Sequence, residues 1–263
     1  MRAYLGVLFR MLLAGPAILG CAHAAEKVVD IPTRPGVTQR FLLMSPPDAK
    51  AAVVLFPGGH GGLQMDEAGA LQWGRGNFLV RSAPLFAASQ LAVAIVDAPS
   101  DRQSPPHLSG FRQSAEHAAD VKAVIAWLRE NTRLPVWLVG TSRGTQSAAA
   151  VATRLAANER PDGLVLTATI LSDARSTPVP DMAVDALRIP VLVVHHQDDA
   201  CRQTLYRDVP RLMEKLAAAP RKELVTFRGG VDRGNPCEAR AYHGFNGLEQ
   251  EVVGRIAAWI AAK

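Results

Sequence analysis

The chain has 263 residues, 48% hydrophobic and 20% charged, with 21 Gly, 18 Pro and 3 Cys. This balance excludes disorder, collagen-like repetition and a disulfide-dense mini-scaffold, and the length fits one large domain or two small ones. Net charge is +5 without a Lys/Arg block, and aromatic residues make up 6%, so composition gives no basis for a nucleic-acid groove.

Residues 1–25 read as a secretory signal: Arg2 and Arg10 precede an apolar run over 11–22 that ends in small residues. The run beyond Arg10, about 12 residues, is too short to span a bilayer, and Pro16 breaks it. Two processing routes are open. Ala22-His23-Ala24 offers a small-x-small cleavage site, whereas Ile18-Leu19-Gly20-Cys21 resembles a lipoprotein signal with Cys21 lipidated. Leu19 is large for that motif, so simple cleavage is preferred. The expected location is periplasmic or secreted, with membrane attachment only through a lipidated Cys21. Residues 26–263 then form the mature chain, with 27 basic against 24 acidic side chains once Arg2 and Arg10 are removed.

Short extended pieces are expected at 28–31 and 40–45. Continuous apolar runs follow at 51–56, 91–96, 136–139, 164–170, 191–195 and 224–227. Runs without in-out alternation suit strands covered on both faces, as in a parallel sheet. Helix-like spacing falls between them, at 115–131, 145–157, 205–218 and 248–262. Alternating strand and helix predicts an α/β fold with a mostly parallel central sheet and helices on both faces. The absence of repeats, low-complexity tracts and charged linkers makes one domain the economical reading. A site is then expected beyond the carboxyl ends of the strands.

The run 136–139 leads into Gly140-Thr141-Ser142-Arg143-Gly144, and a helical stretch follows at once. The G-x-S-x-G pattern alone is moderate evidence; its place between strand and helix strengthens it. A sharp strand-to-helix turn would expose the Ser142 hydroxyl above the sheet, close to a helix N-terminus. The plainer reading is a serine capping an ordinary helix.

On these residues the chain resembles the α/β-hydrolases, over about 40–262, with Gly140 to Gly144 as the nucleophile elbow. The resemblance implies an order of serine, acid and histidine along the chain. The loop His195-His196-Gln197-Asp198-Asp199-Ala200-Cys201 stands where the family carries its acid. Asp199 fits the spacing best and Asp198 is the alternative. His243, in Tyr242-His243-Gly244-Phe245 before the last helix, stands where the family carries its base; a helix-capping role is the plainer reading. Imidazole would take the serine proton while a carboxylate orients and stabilises it. For the oxyanion, the expected donors are the Arg143 N–H and one from Pro57-Gly58-Gly59-His60-Gly61-Gly62, with Gly59 preferred over His60. That Gly-rich loop lacks the Gly-Lys-Ser/Thr ending of an NTPase.

Cys201 and Cys237 form an even pair in an oxidising compartment, where a disulfide is the default. It would tie the acid loop to the histidine loop, either holding their geometry or acting as a plain staple. His195 and His196 beside two carboxylates raise a metal site, but adjacent strand residues point in opposite directions, so no metal and no cofactor are expected. Residues 73–86 read as a long loop walling the pocket. Arginines at 75, 81, 102, 112, 143, 175 and 202 fall in segments expected on the catalytic side. One reading is a rim for an anionic small-molecule substrate, with Arg75 and Arg81 foremost; the other is ordinary solvated arginine. Only residues 172–189 separate two strands where many relatives insert a lid, which predicts an open site. The resulting expectation is an exported serine hydrolase of a carboxylic ester, thioester or amide, acting through an acyl-enzyme on Ser142. Esters come first by analogy with the family, and a peptidase or lipase of the same fold is the variant reading. The alternative from another class is a non-catalytic binding protein on the same scaffold.

Overall fold

The computed structural model describes residues 25–262, so the expected leader, with Cys21 and its processing routes, lies outside the described residues. Eight strands form one sheet in the order β1-β2-β4-β3-β5-β6-β7-β8. They are β1 Ala25–Arg34, β2 Val37–Ser45, β3 Ala51–Phe56, β4 Leu91–Val96, β5 Val136–Thr141, β6 Gly163–Thr167, β7 Val191–His196 and β8 Lys222–Phe227. The β1–β2 and β2–β4 pairings are antiparallel and the remaining pairings are parallel. The helices are α1 Phe78–Ala88, α2 Ala115–Thr132, α3 Arg143–Arg154, α4 Val209–Lys215 and α5 Glu249–Ala261.

The unbroken apolar runs follow from covering both faces. In β3, Ala52, Val54 and Phe56 pack with α2, α3 and α4 residues in one core, while Ala51, Val53 and Leu55 pack with α1 and α5 in the other. Alternate side chains point to opposite faces, so a strand roofed on both sides needs apolar residues at every position. β3, β4, β5 and β7 are buried along their whole length.

The structure moves several expected boundaries, and each shift has a local cause. The opening strands form one long hairpin, turning at Gly36 with φ +72°. β6 stops at Thr167, because Ala168 adopts φ +42° and swings the Thr169 N–H onto His195 Nε2 at 2.8 Å. α4 begins only at Val209, because Pro210 lacks an N–H and fits the first helical turn alone. Residues 73–86 are not one loop: from Phe78 they form α1, started by Asn77, whose side chain accepts the Leu79 N–H at 3.1 Å. Pro84 lies within α1 on its exposed side. Between β6 and β7 the only helical pieces are two short 3-10 turns, Val179–Asp181 and Val184–Ala186. No helix among the described residues is long and apolar enough to cross a membrane.

Candidate active site

Ser142 sits between β5 and α3 with φ 51° and ψ −126°, a conformation that L-residues rarely hold. Neighbouring glycines make this turn possible. A Cβ on Gly140 would lie 2.5 Å from the Gly144 carbonyl oxygen, and one on Gly144 would lie 2.0 Å from the Phe56 carbonyl oxygen. Backbone contacts lock the turn: the Ser142 N–H donates to Thr167 O at 3.1 Å, and Ser142 O accepts from the Thr145 N–H and hydroxyl at 2.9 and 2.6 Å. Although Ser142 is the residue preceding α3, its side chain makes no capping hydrogen bond, unlike an ordinary N-cap serine.

The carboxyl end of β7 carries two neighbouring carboxylates with different surroundings. Asp198 is exposed, while Asp199 is buried and its Oδ2 lies 2.9 Å from His243 Nδ1. Two donors hold Asp199: the Cys201 N–H reaches Oδ1 at 2.9 Å and the Thr204 hydroxyl reaches Oδ2 at 2.8 Å. His243 lies in a short 3-10 turn with its Nε2 buried and without a hydrogen-bond partner. The turn is tight, because a Cβ on Gly244 would lie 2.1 Å from Ala239 O. It is pinned from α1, where Arg81 donates to Gly244 O at 2.6 Å and pairs with Glu249 at 2.8 Å. Cys201 and Cys237 are disulfide-bonded, joining the Asp199 loop to the segment that leads to His243.

His195 and His196 have structural surroundings. His195 is fully buried beneath the site, and burial pushes its imidazole down to about 4, so it is neutral near pH 7. His196 accepts the Asp198 N–H on Nδ1 at 3.1 Å, which leaves Nε2 to donate to Gly229 O at 2.9 Å, and its ring stacks on Tyr242. Among the described residues, no group of three His, Cys, Asp or Glu side chains could hold a metal ion.

The loop after β3 lies against Ser142. A Cβ on Gly58 would come within 3.0 Å of Ser142 Cβ, and Gly59, at φ +58°, has Trp73 where a Cβ would stand. His60 lies between Trp73 and His107, its ring tilted against the first at a centroid distance of 3.8 Å and stacked on the second at 4.4 Å. Gly58, Gly59, Trp73, Asn77, Ser142, Cys237 and His243 share one cleft of about 270 Å³. Arg143 follows Ser142, and its N–H belongs to the first turn of α3, where backbone donors lack intrahelical partners.

The arginines separate by position. Arg75 is exposed-side and donates to Leu71 O at 2.8 Å, and Arg81 is committed to the contacts above, so neither lines the cleft. Arg112, only 4% exposed, donates to the carbonyls of Pro57 and Gly59 at 3.0 and 3.2 Å and to Ser147 Oγ at 2.9 Å. It thereby fastens the glycine loop from behind. Two further supports carried no sequence motif. Asp97, at the end of β4, accepts the N–H groups of Leu63, Gln64, Met65 and Ala98, and Thr204 bridges toward both Asp199 and His243. A carboxylate ending an apolar strand is a readable signal for Asp97; Thr204 has none.

No protein-family model and no curated protein matches the sequence. Solved structures do match. Dienelactone hydrolase from Anabaena variabilis has 16% identity and a TM-score of 0.62, covering 90% of this chain and 97% of that one. An esterase from Pyrococcus furiosus has 13% identity and a TM-score of 0.64, with 95% and 97% covered. An α/β serine hydrolase without a lid from Xanthomonas campestris has 20% identity and a TM-score of 0.54, with 94% and 100% covered. Sheet order, elbow and these likenesses together define the fold: this is an α/β-hydrolase fold without a lid.

Proposed function

We propose that the protein is a serine hydrolase that cleaves a carboxylic ester through an acyl-enzyme on Ser142, with His243 as base and Asp199 as acid. The observation that carries this reading is that His243, bonded through Nδ1 to the buried Asp199 and left without a partner at Nε2, lines the same cleft as the strained Ser142. In the first step Ser142 Oγ bonds to the carbonyl carbon as its proton passes to His243 Nε2. Asp199, at Nδ1, stabilises the imidazolium. The oxyanion accepts hydrogen bonds from the N–H groups of Arg143 and Gly59, the latter on a loop braced by Arg112, with His60 the alternative donor. Collapse expels the alcohol, which takes the proton from His243, and a water activated by the same imidazole then releases the acid and restores Ser142. Thioesters and amides would follow the same course. Esters come first because esterases recur among the structural likenesses. Export to the periplasm or beyond belongs to the same reading, supported by the Cys201–Cys237 bond, which forms and persists in oxidising compartments.

A fluorophosphonate probe tests the assignment. Labelling of the wild-type protein that disappears in Ser142→Ala, together with loss of p-nitrophenyl ester hydrolysis, is expected. A folded wild-type protein that neither labels nor hydrolyses any ester would leave the non-catalytic scaffold in its place.

A further inference from the structure

Beside the cleft lies a second cavity, of about 240 Å³, which shares Gly59 with it. Three of its lining residues are arginines brought from separate elements: Arg112 from the segment before α2, Arg143 from the start of α3, and Arg175 from the loop after β6. No Asp or Glu lines it. Asp173 stands behind, but it is occupied by Arg143, by the Ser176 hydroxyl and by the Arg175 N–H at 3.2 Å. Desolvation would raise the Asp173 carboxyl, yet those hydrogen bonds hold it well below the usual range, so it stays ionised and neutralises only one of the three cations. Arg175 is exposed and makes no salt bridge among the described residues.

Arg112 is the unusual member. Its side chain is buried, yet its hydrogen-bond partners are carbonyls and a hydroxyl, none of them charged, and its Nε has no partner. A buried cation without a counter-ion is costly, and such groups are paired or serve a function. The missing negative charge is supplied if a ligand brings it.

We propose that this cavity is a subsite for a carboxylate on the substrate, so that the preferred ester carries a negative charge a few atoms from its scissile carbonyl. The inference rests on the serine-hydrolase reading above and names the substrate class of that site. Because the cavity meets the cleft at Gly59 and the residue after Ser142 lines it, an ester held at Ser142 lies next to the three cations. Arg175 presents a free fork suited to two carboxylate oxygens, while Arg143, whose fork is held by Asp173, and the buried Arg112 contribute field from beside and below.

The test compares matched esters in the intact mature protein. Mono-p-nitrophenyl glutarate against p-nitrophenyl valerate probes a charge on the acyl side; 4-acetoxybenzoate against phenyl acetate probes one on the leaving group. The expected result is a kcat/KM at least about tenfold higher for the charged member of one pair, the scale of a charge-assisted hydrogen bond, declining as salt is added. In Arg175→Gln the KM of that charged ester should rise about tenfold more than the KM of its neutral partner. Arg175→Lys, which keeps the charge but not the fork, should recover part of the difference. Equal KM values within both pairs, or equal effects of Arg175→Gln on charged and neutral esters, overturn the subsite while leaving the hydrolase reading intact. If no ester is turned over, calorimetric titration with glutarate still reads the cavity. Saturable binding weakened about tenfold in Arg175→Gln supports it, and absent binding overturns it.

Discussion

Asp198 and Asp199 are adjacent in sequence, yet one faces solvent and the other is enclosed by His243, Thr204 and the Cys201 N–H. Under the proposed proton relay, Asp199→Asn should lower kcat by about 10³–10⁴-fold, because the charge at Nδ1 is lost, whereas Asp198→Asn should stay within about twofold. Measuring kcat for both variants on one p-nitrophenyl ester decides which carboxylate serves His243. Spacing within the resembling family favours Asp199, but only burial separates two identical side chains. The loop could not reveal which of them turns inward, because that depends on where His243 arrives from 44 residues away. Gly140 and Gly144 are the opposite case. Their need for hydrogen in place of a side chain is written into a five-residue motif, and the contacts at 2.5 and 2.0 Å show why.

At the scale of elements, the hairpin β1–β2 is tied to α2 by an ion pair between the half-buried Arg34 and the buried Asp120, which no motif signalled. Arg34 Nε and Nη2 reach the two Asp120 oxygens at 2.9 and 3.0 Å, and the Thr33 hydroxyl adds a third bond. Hydrogen bonding to Asp120 holds the Arg34 guanidinium charged. Arg34→Ala should destabilise the fold by on the order of 3 kcal/mol in urea titration, because it leaves a buried carboxylate unpaired. The disulfide joins two loops in a comparable way, across a separation of 36 residues. Replacing both cysteines by serine should cost about 3–4 kcal/mol on the loop-closure account. Because the Cys201 N–H also holds Asp199, kcat should fall about tenfold in protein that circular dichroism shows to be folded. An unchanged kcat would make the bond a staple only. Helix α1 was hidden in the sequence by Pro84, whose interior helical position costs about 3 kcal/mol by propensity. Burial of Phe78, Leu79, Ala83 and Phe86 against the sheet and α5 outweighs that cost.

For the molecule as a whole, acid tolerance depends on histidines buried in neutral form. Burial lowers His117 to about 3, with Arg112 and Arg34 adding repulsion, and lowers His195 to about 4. Both values lie below the unfolded value near 6.5, so the unfolded chain binds more protons as pH falls. Stability is therefore fully present above about pH 6.5 and declines toward pH 4 and 3, by up to about 1.4 kcal/mol per pH unit for each histidine. His117 has no hydrogen-bond partner on either ring nitrogen and packs edge-on to Phe56 and Phe111. His117→Phe should therefore flatten the decline, measured as the melting temperature between pH 7 and pH 4. A slope unchanged from the wild type would remove His117 from the account.

Sequence alone suffices for the layered α/β architecture and the elbow, because apolar runs, turn glycines and strand-to-helix transitions are encoded by neighbours along the chain. It also singles out His243 and the adjacent Asp198 and Asp199, on two loops that the fold brings into contact. What it leaves open are relationships between residues tens of positions apart. Arg112 meeting the carbonyls of the glycine loop and Arg112, Arg143 and Arg175 gathering at one cavity are such relationships, as is the choice between adjacent aspartates. Hydrogen bonds need donor and acceptor about 3 Å apart, and charges interact strongly only within about 10 Å, so both are set by the packed fold, which alone decides which groups come that close.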